Sequence, residues 1–93
     1  MFMVMGKFSI DPEQRNEFLG FVREIIPGER QTPGIISFEI YEDVLETNTF
    51  LMVEQWEDED ALDLYTASDE YLENDDRLNS FVIGEPVWEE YEF

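Results

Sequence analysis

The 93-residue chain contains no cysteine and no histidine. The missing cysteines exclude disulfide bonds, zinc–thiolate centres and thiol nucleophiles. The missing histidines exclude the side chain that most often acts as a general base near neutral pH and as a ligand of haem iron or other metals. These two absences together exclude many classes of enzyme.

Basic side chains are scarce, with five Lys and Arg against 24 Asp and Glu and a formal charge of −19 at pH 7. No basic stripe or cluster is present that could displace counterions from phosphates, so nucleic acid and anionic membrane surfaces are disfavoured as partners. The acidic residues are spread over most of the chain, and Lys7 is the only lysine. This balance suits a cytosol of molar potassium salt, and it predicts a halophilic source.

A calcium-binding acidic protein is the main alternative explanation of the charge. Calcium coordination needs closely spaced oxygen ligands on a turned loop, and no segment fits the pattern D-x-[DN]-x-[DN]-G. The densest acidic run, Glu57–Asp60, has no glycine and is predicted to begin a helix instead. The N-terminal stretch Met1–Met5 lacks the basic region of a signal peptide, and no apolar run approaches membrane-spanning length. A cytoplasmic protein is expected.

A single folded domain over residues 1–93 is predicted, because eight Phe, four Tyr and two Trp supply apolar burial that disordered acidic chains lack. Hydrophobic alternation and helical spacing define the elements. Pro27-Gly28 is predicted to end the first helix, and Gly84-Glu85-Pro86 is predicted to end the last one. Strands are predicted over residues 2–10, 35–43, 49–57 and 87–93, and helices over residues 12–26, 58–68 and 69–82.

This order, βαββαβ, predicts a ferredoxin-like α+β domain in which helices cover one face of an antiparallel four-stranded sheet. The strands nevertheless carry large apolar residues on both faces. Strand one places Met3 and Met5 opposite its core residues, and strand three places Leu51 and Val53 in the same way. The second face is therefore predicted to be buried against another sheet, in a homodimer.

Several short segments resemble the antibiotic biosynthesis monooxygenase (ABM) family. They are Pro33-Gly34, Phe38–Asp43, Asn48–Phe50, Glu54–Asp58 and Ala61-Leu62 with Ser68. The segment Glu54–Leu62 fits E-x-W-x-[DS]-x-x-A-[LF] within the same βαββαβ context, and the resemblance spans essentially the whole chain. It implies a dimeric α/β barrel, in which two sheets pack face to face and each protomer keeps a cavity between its sheet and its helices.

The family includes monooxygenases without cofactors, haem-degrading enzymes, isomerases of small metabolites and proteins with no known activity. Tyr65 stands where quinol-monooxygenase-like members often carry histidine, and Asp75 stands where haem-degrading members carry their iron ligand, which argues against the haem branch. The resemblance implies a quinol-monooxygenase-like enzyme that uses molecular oxygen, without metal or flavin, on a quinol, polyphenol or anthrone-like aromatic. The alternatives are a non-catalytic dimeric module that binds a small molecule, and an isomerase or lyase of a small metabolite.

Four residues are candidates for catalysis. Trp56 could donate its indole N–H to a substrate oxygen or anchor the core, and Tyr65 could bond a phenolic substrate or lie on a plain helix face. Glu54, on an apolar strand face, is either a base with a raised pKa or a structural partner. Arg77 could steady a phenolate or form a salt bridge. Substrate binding or core packing is predicted for four further residues, namely Phe50, Met52, Tyr71 and Phe81.

Overall fold

The computed structural model describes every residue from Met1 to Phe93. Its elements follow in the order β1 (Phe2–Ile10), α1 (Arg15–Glu29), β2 (Ile35–Glu42), β3 (Thr49–Trp56), α2 (Glu59–Thr66), α3 (Asp69–Phe81) and β4 (Val82–Glu92). A single 3-10 turn, Pro12–Gln14, precedes α1. All strand pairs are antiparallel, in the order β2-β3-β1-β4. The predicted ferredoxin-like α+β fold is confirmed.

The starts of the helices are set by local side-chain caps. Asp58 accepts a hydrogen bond from the backbone N–H of Ala61 at 2.8 Å, and Ser68 Oγ accepts one from that of Tyr71 at 3.1 Å. These caps satisfy backbone donors that have no partner inside the helix. The acidic run Glu57–Asp60 therefore begins α2, as the sequence predicts.

The first helix is longer than predicted, because it continues to Glu29 with Pro27 inside its last turn. A proline there removes one N–H and crowds the carbonyl of Arg23, but only a few helical bonds lie beyond it. The backbone N–H of Arg30 still bonds the carbonyl of Ile26 at 3.0 Å. The prediction that Pro27-Gly28 ends the helix was wrong, and the additional residues include the buried Glu29.

The last strand begins at Val82, not at Val87, and it runs through the segment Gly84–Pro86. Helix α3 ends at Phe81, so Val82 belongs to the strand and the predicted break lies within it. Proline is tolerated here because β4 is an edge strand that pairs only with β1. Gly84 has a φ of 70°, and the β1–β4 register shifts between Lys7 and Ser9, as expected for a bulge.

The two faces of the sheet differ in their cover. The helices cover one face and form two apolar clusters with it, one around Phe8, Phe18 and Phe50 and the other around Trp56 and Tyr65. The uncovered face, called here the open face, is defined by cross-strand rows of partners, which lie on the same side of a sheet. Its two central rows are Glu39, Val53, Met5, Glu89 and Tyr41, Leu51, Lys7, Val87.

No helix of this chain combines the length and the apolar character that crossing a membrane requires.

Candidate active site

A cavity of about 400 Å³ lies between the helices and the covered face of the sheet. Ten of its 17 lining residues are hydrophobic, and they come from both apolar clusters, so the cavity separates the two. The other seven are polar, and four of these are carboxylic acids: Glu29, Glu54, Asp75 and Glu90. No lysine or arginine lines the cavity. Its size and its apolar wall with a few polar groups are typical of a small-molecule site.

Glu29 joins the three helices at the wall of the cavity. Its Oε1 accepts a hydrogen bond from the Tyr65 hydroxyl at 2.5 Å and one from the Asn74 amide at 3.2 Å. Its Oε2 is buried and has no hydrogen-bond partner, and the residue as a whole is 2% exposed. An unsatisfied buried acceptor costs about 1–3 kcal/mol. A hydrogen bond from a donor group of a ligand to this oxygen would remove that cost.

Burial raises the pKa of both partners in the hydrogen bond between Tyr65 and Glu29. Burial raises the pKa of the Glu29 carboxyl above its usual value, although the hydrogen bonds from Tyr65 and Asn74 oppose the shift. The pKa of the Tyr65 hydroxyl is also raised, first by burial and then by its hydrogen bond to Glu29. Tyr65 therefore stays protonated near neutral pH and acts as a donor.

Glu54 provides the second buried carboxyl. The indole N–H of Trp56 donates to Glu54 Oε1 at 3.0 Å, and the two side chains lie on the same face of β3. Burial raises the pKa of Glu54 to about 7; the bond from Trp56 opposes this shift, and the charge of Glu29 adds to it. A carboxyl with this pKa exchanges protons near neutral pH, as a general base must.

Aromatic packing links the two carboxyls into one network. Trp56 is fully buried, and its ring packs on that of Tyr65 with centroids 5.1 Å apart. Tyr65 in turn meets the ring of Tyr71 edge-on, with centroids 5.2 Å apart. Glu54 and Glu29 are thus held at the ends of a continuous stack of side chains that has little freedom to rearrange.

The candidate residues divide into two groups by their place in the fold. Glu54, Tyr65, Met52 and Tyr71 line the cavity. Trp56 lies behind the wall, where its N–H is already bonded to Glu54. Whether these residues act on a substrate stays a prediction.

The other three candidates lie outside the cavity lining. Phe50 packs in the core against Phe18, with ring centroids 4.8 Å apart, and Phe81 packs on Phe18 and Phe21, at 5.6 Å from each. The Arg77 guanidinium lies 4.6 Å from the ring centroid of Phe21 and bonds Glu24 at 3.1 Å. Of the two roles predicted for Arg77, the structure shows the salt bridge, and no cation lines the cavity.

Several lining residues were not singled out in the sequence, among them Glu29, Asn74, Trp88 and Glu90. Glu29 was missed because the predicted helix end at Ile26 placed it in a turn. Trp88 and Glu90 carry a weak signal, because their spacing of two in a strand puts them on one face. Asn74 gives no signal beyond its place on an amphipathic helix.

Trp88 closes one side of the cavity by lying directly on Gly6 of β1. These residues are cross-strand partners, and a Cβ added to Gly6 would stand only 2.2 Å from the nearest atom of the Trp88 ring. Glycine is therefore required for this close approach of an indole to the strand. Nowhere do three His, Cys, Asp or Glu side chains converge in a way that could hold a metal ion.

The fold and the cavity together define a ferredoxin-like domain with a cavity of small-molecule size. The sequence model of the family described as "Antibiotic biosynthesis monooxygenase" matches residues 1–74. The chain belongs to this family, and the predicted membership is confirmed.

Two relatives are similar in sequence. An uncharacterised protein of Synechocystis (sll1783) is 36% identical over 68% of this chain and 43% of its own length. YcnE of Bacillus subtilis, whose name assigns it provisionally to the monooxygenases, is 34% identical over 67% of this chain and 65% of its own length. The matched stretch therefore spans less than two thirds of either relative.

Solved structures share the fold. SnoaB of Streptomyces nogalater, described as a cofactor-independent oxygenase, superposes with a TM-score of 0.86 over 99% of this chain and 91% of its own. Only 14% of residues are identical, so the likeness establishes the architecture and nothing of the chemistry.

Proposed function

We propose that this protein is a cofactor-independent monooxygenase that oxidises a quinol, polyphenol or anthrone-like aromatic with molecular oxygen. The observation that carries the proposal is Glu54, a buried carboxyl with a pKa of about 7 in the wall of a largely apolar cavity. Family membership supports it, as does the name of the relative YcnE, which assigns that protein provisionally to the monooxygenases.

The reaction starts with removal of a proton from the substrate. Ionised Glu54 takes the proton of an acidic O–H or C–H group, so one negative charge moves from the carboxylate to the substrate and none is added to the cavity. The electron-rich anion then transfers an electron to oxygen, and the two combine to a peroxide anion bonded to a ring carbon. Protonated Glu54 returns its proton to this anion, which gives the hydroperoxide and restores the carboxylate. Loss of water breaks the O–O bond and leaves a carbonyl, so that an anthrone and O2 give a quinone and water.

The apolar wall contributes to this chemistry by excluding water. A substrate anion formed in a dry cavity is not stabilised by hydration. The neutral polar groups next to the carboxyls are the Tyr65 hydroxyl and the Asn74 amide at Glu29 and the Trp56 indole at Glu54. No step needs a cation, the role for which Arg77 was a candidate. In our proposal Tyr65 holds Glu29 and orients substrate oxygens, and Trp56 holds Glu54.

Oxygen uptake tests the proposal. Protein stripped of metals by chelation is expected to consume oxygen with at least one hydroquinone, dihydroxynaphthalene or anthrone, at a rate proportional to protein concentration. Reactions without protein and with heat-denatured protein control for autoxidation of these substrates. The absence of protein-dependent oxygen uptake with every substrate of the panel would contradict the oxygenase proposal. If a panel member then bound tightly, the binding-module alternative would be favoured; turnover without oxygen would favour the isomerase or lyase.

We further propose that the protein is a homodimer whose subunits meet through their open faces. In one chain, Met5 and Val53 of this face are only half-buried, and Tyr41, Val87 and Tyr91 are exposed. Helices leave this apolar sheet surface without cover, and a second sheet of the same kind is a stable way to bury it.

The charge supports the proposal of a halophilic, cytoplasmic origin. Four of the five basic side chains form ion pairs, through Lys7, Arg15, Arg30 and Arg77, and each of them pairs with one carboxylate. Most of the 24 acidic side chains therefore have no cationic partner. Their mutual repulsion opposes folding wherever salt does not screen it.

Stability is expected to rise steeply with potassium chloride. The Debye length shortens from about 10 Å at 0.1 M to about 3 Å at 1 M, and relief of roughly 2 kcal/mol would raise the unfolding temperature by on the order of 10 °C. Thermal unfolding followed by circular dichroism measures this. A variant that neutralises the exposed Glu57, Glu73 and Asp76 is the control, and its salt dependence should be smaller. Equal stability of the natural chain in dilute buffer and molar KCl would contradict the proposal.

A further inference from the structure

The cavity wall is acidic on every side. Its four carboxylic acids come from four different elements, with Glu29 on α1, Glu54 on β3, Asp75 on α3 and Glu90 on β4. Glu29 and Glu54 are buried, whereas Asp75 is half-buried and Glu90 is exposed. A negatively charged ligand is therefore repelled most strongly beside the two buried acids, where the surrounding dielectric is low.

No basic side chain compensates for these acids. Arg77 is held outside the lining by Glu24 and the ring of Phe21. Arg15 is bonded to Glu42, and Arg30 to Glu39. The cavity thus lacks the fork-shaped or ammonium donors with which proteins bind carboxylates and phosphates.

One acidic oxygen is left without a partner and defines what a ligand must bring. Glu29 Oε2 is buried and accepts no hydrogen bond, whereas Oε1 of the same group accepts two. While Glu29 is ionised this oxygen is an acceptor only, so an O–H or N–H group of a ligand would complete its bonding and a ligand oxygen without hydrogen would not. The rest of the wall suits a flat ring, since the lining includes Phe21, Phe38, Tyr71 and Trp88.

We propose that this cavity selects an aromatic ligand that carries no negative charge and donates an O–H or N–H hydrogen bond to Glu29 Oε2, and that it excludes carboxylated analogues of the same ring. The inference rests on the proposed function only in taking this cavity as the substrate site. It restricts the substrates to uncharged hydroxyarenes or amines, and it makes Glu29 a specificity-determining residue.

Equilibrium dialysis with three matched probes tests the proposal without any turnover. The probes are 1-naphthol, 1-methoxynaphthalene and 1-naphthoate, and they supply a donor, no donor, and a negative charge on the same ring system. The measurement is made without oxygen, in about 1 M KCl, where exposed charges are screened beyond about 3 Å and the buried Glu29 and Glu54 are screened much less. We expect 1-naphthol to bind about 10-fold more tightly than the ether and at least about 100-fold more tightly than the carboxylate.

Glu29→Gln is the decisive variant, because its amide has nearly the same shape but replaces one acceptor by an N–H donor. Its preference for 1-naphthol over the ether is expected to fall towards one, and its affinity for 1-naphthoate to rise about 10-fold or more. Glu17→Gln, an exposed change of the same kind on the same helix, should leave all three affinities unchanged. If Glu29→Gln does not fold, Asp75→Asn serves in its place and should weaken the exclusion of 1-naphthoate.

The outcomes separate this inference from the oxygenase proposal. Equal binding of 1-naphthol and 1-naphthoate by the natural chain, no binding of 1-naphthol, or an unchanged probe ranking in Glu29→Gln would overturn the inference. Selective binding of 1-naphthol together with no oxygen uptake on any substrate would support the inference and contradict the oxygenase proposal.

Discussion

Replacing Glu54 by glutamine is expected to lower oxygen uptake by at least about 100-fold while making the folded protein more stable above pH 7. The two effects have one cause, the burial of a carboxyl that must ionise to act as a base. Glutamine keeps the shape of the side chain, and its carbonyl can still accept the indole N–H of Trp56. It has no charge to bury and no proton to exchange.

The expected stability change follows from the direction of the pKa shift. Burial raises the pKa of Glu54 from 4.5 to about 7, so the folded state binds this proton more tightly than the unfolded state does. Between these two pH values the folded protein carries more protons, and its stability falls as the pH rises. A shift of this size corresponds to roughly 3 kcal/mol above pH 7, which Glu54→Gln should recover.

Denaturant unfolding at about pH 5 and about pH 8, in molar KCl, measures this difference. The natural chain and Glu54→Gln should have similar stability near pH 5, and the variant should be more stable near pH 8. Glu57→Gln provides the matched control, because Glu57 is exposed and lies outside the cavity. The assignment of Glu54 fails if the variant keeps the pH slope of the natural chain, or if its turnover stays within about threefold.

Placing aspartate at Val53 is expected to convert a dimer into a monomer. Val53 lies in a central row of the open face, between Met5 and Glu39 and in line with Glu89. In a face-to-face dimer the new carboxylate would be buried without a cationic partner, which costs several kcal/mol and adds to the repulsion from Glu39 and Glu89.

Light scattering in molar KCl distinguishes the two states by mass. The control is Leu72→Asp, since Leu72 is 56% exposed on α3, which packs on the opposite side of the sheet. This variant should remain dimeric, as the natural chain should. A monomeric natural chain at micromolar concentrations, or a dimeric Val53→Asp, would refute the proposed interface.

Much of the architecture could be predicted because it is encoded locally. In β1 the buried Phe2, Val4, Phe8 and Ile10 alternate with residues of the open face, and a period of two specifies a strand without reference to its partners. The caps Asp58 and Ser68 act within three residues along the chain. Such signals can be recognised from the sequence without knowledge of the tertiary structure.

The wrong predictions concern helix and strand ends whose position depends on residues that are distant in the sequence. Pro27 lies within α1 and Pro86 within β4, since each occupies a position where a missing N–H costs little: the last turn of a helix and an edge strand. Whether a proline breaks a helix or strand depends on whether an N–H at its position would have donated a backbone hydrogen bond. The sequence alone does not show this.

The site was predictable in part for the same reason. Glu54 and Tyr65 were found because the resemblance marked their segment, and both line the cavity. Glu29 is 36 residues before Tyr65, and only the packing of α1 on α2 brings them together. The sequence left open whether Arg77 steadies a phenolate or forms a salt bridge, and only the structure shows its side chain packed on Phe21 and bonded to Glu24.

The most direct test of the account is the fate of isotopically labelled oxygen. The metal-free protein is incubated under 18O2 with the panel substrate that gives the fastest uptake, and the product is examined by mass spectrometry. We expect one labelled atom in the new carbonyl group and the other in water, in a reaction that Glu54→Gln largely abolishes. A product whose new oxygen comes from water, or labelling that proceeds equally in Glu54→Gln, would contradict the account.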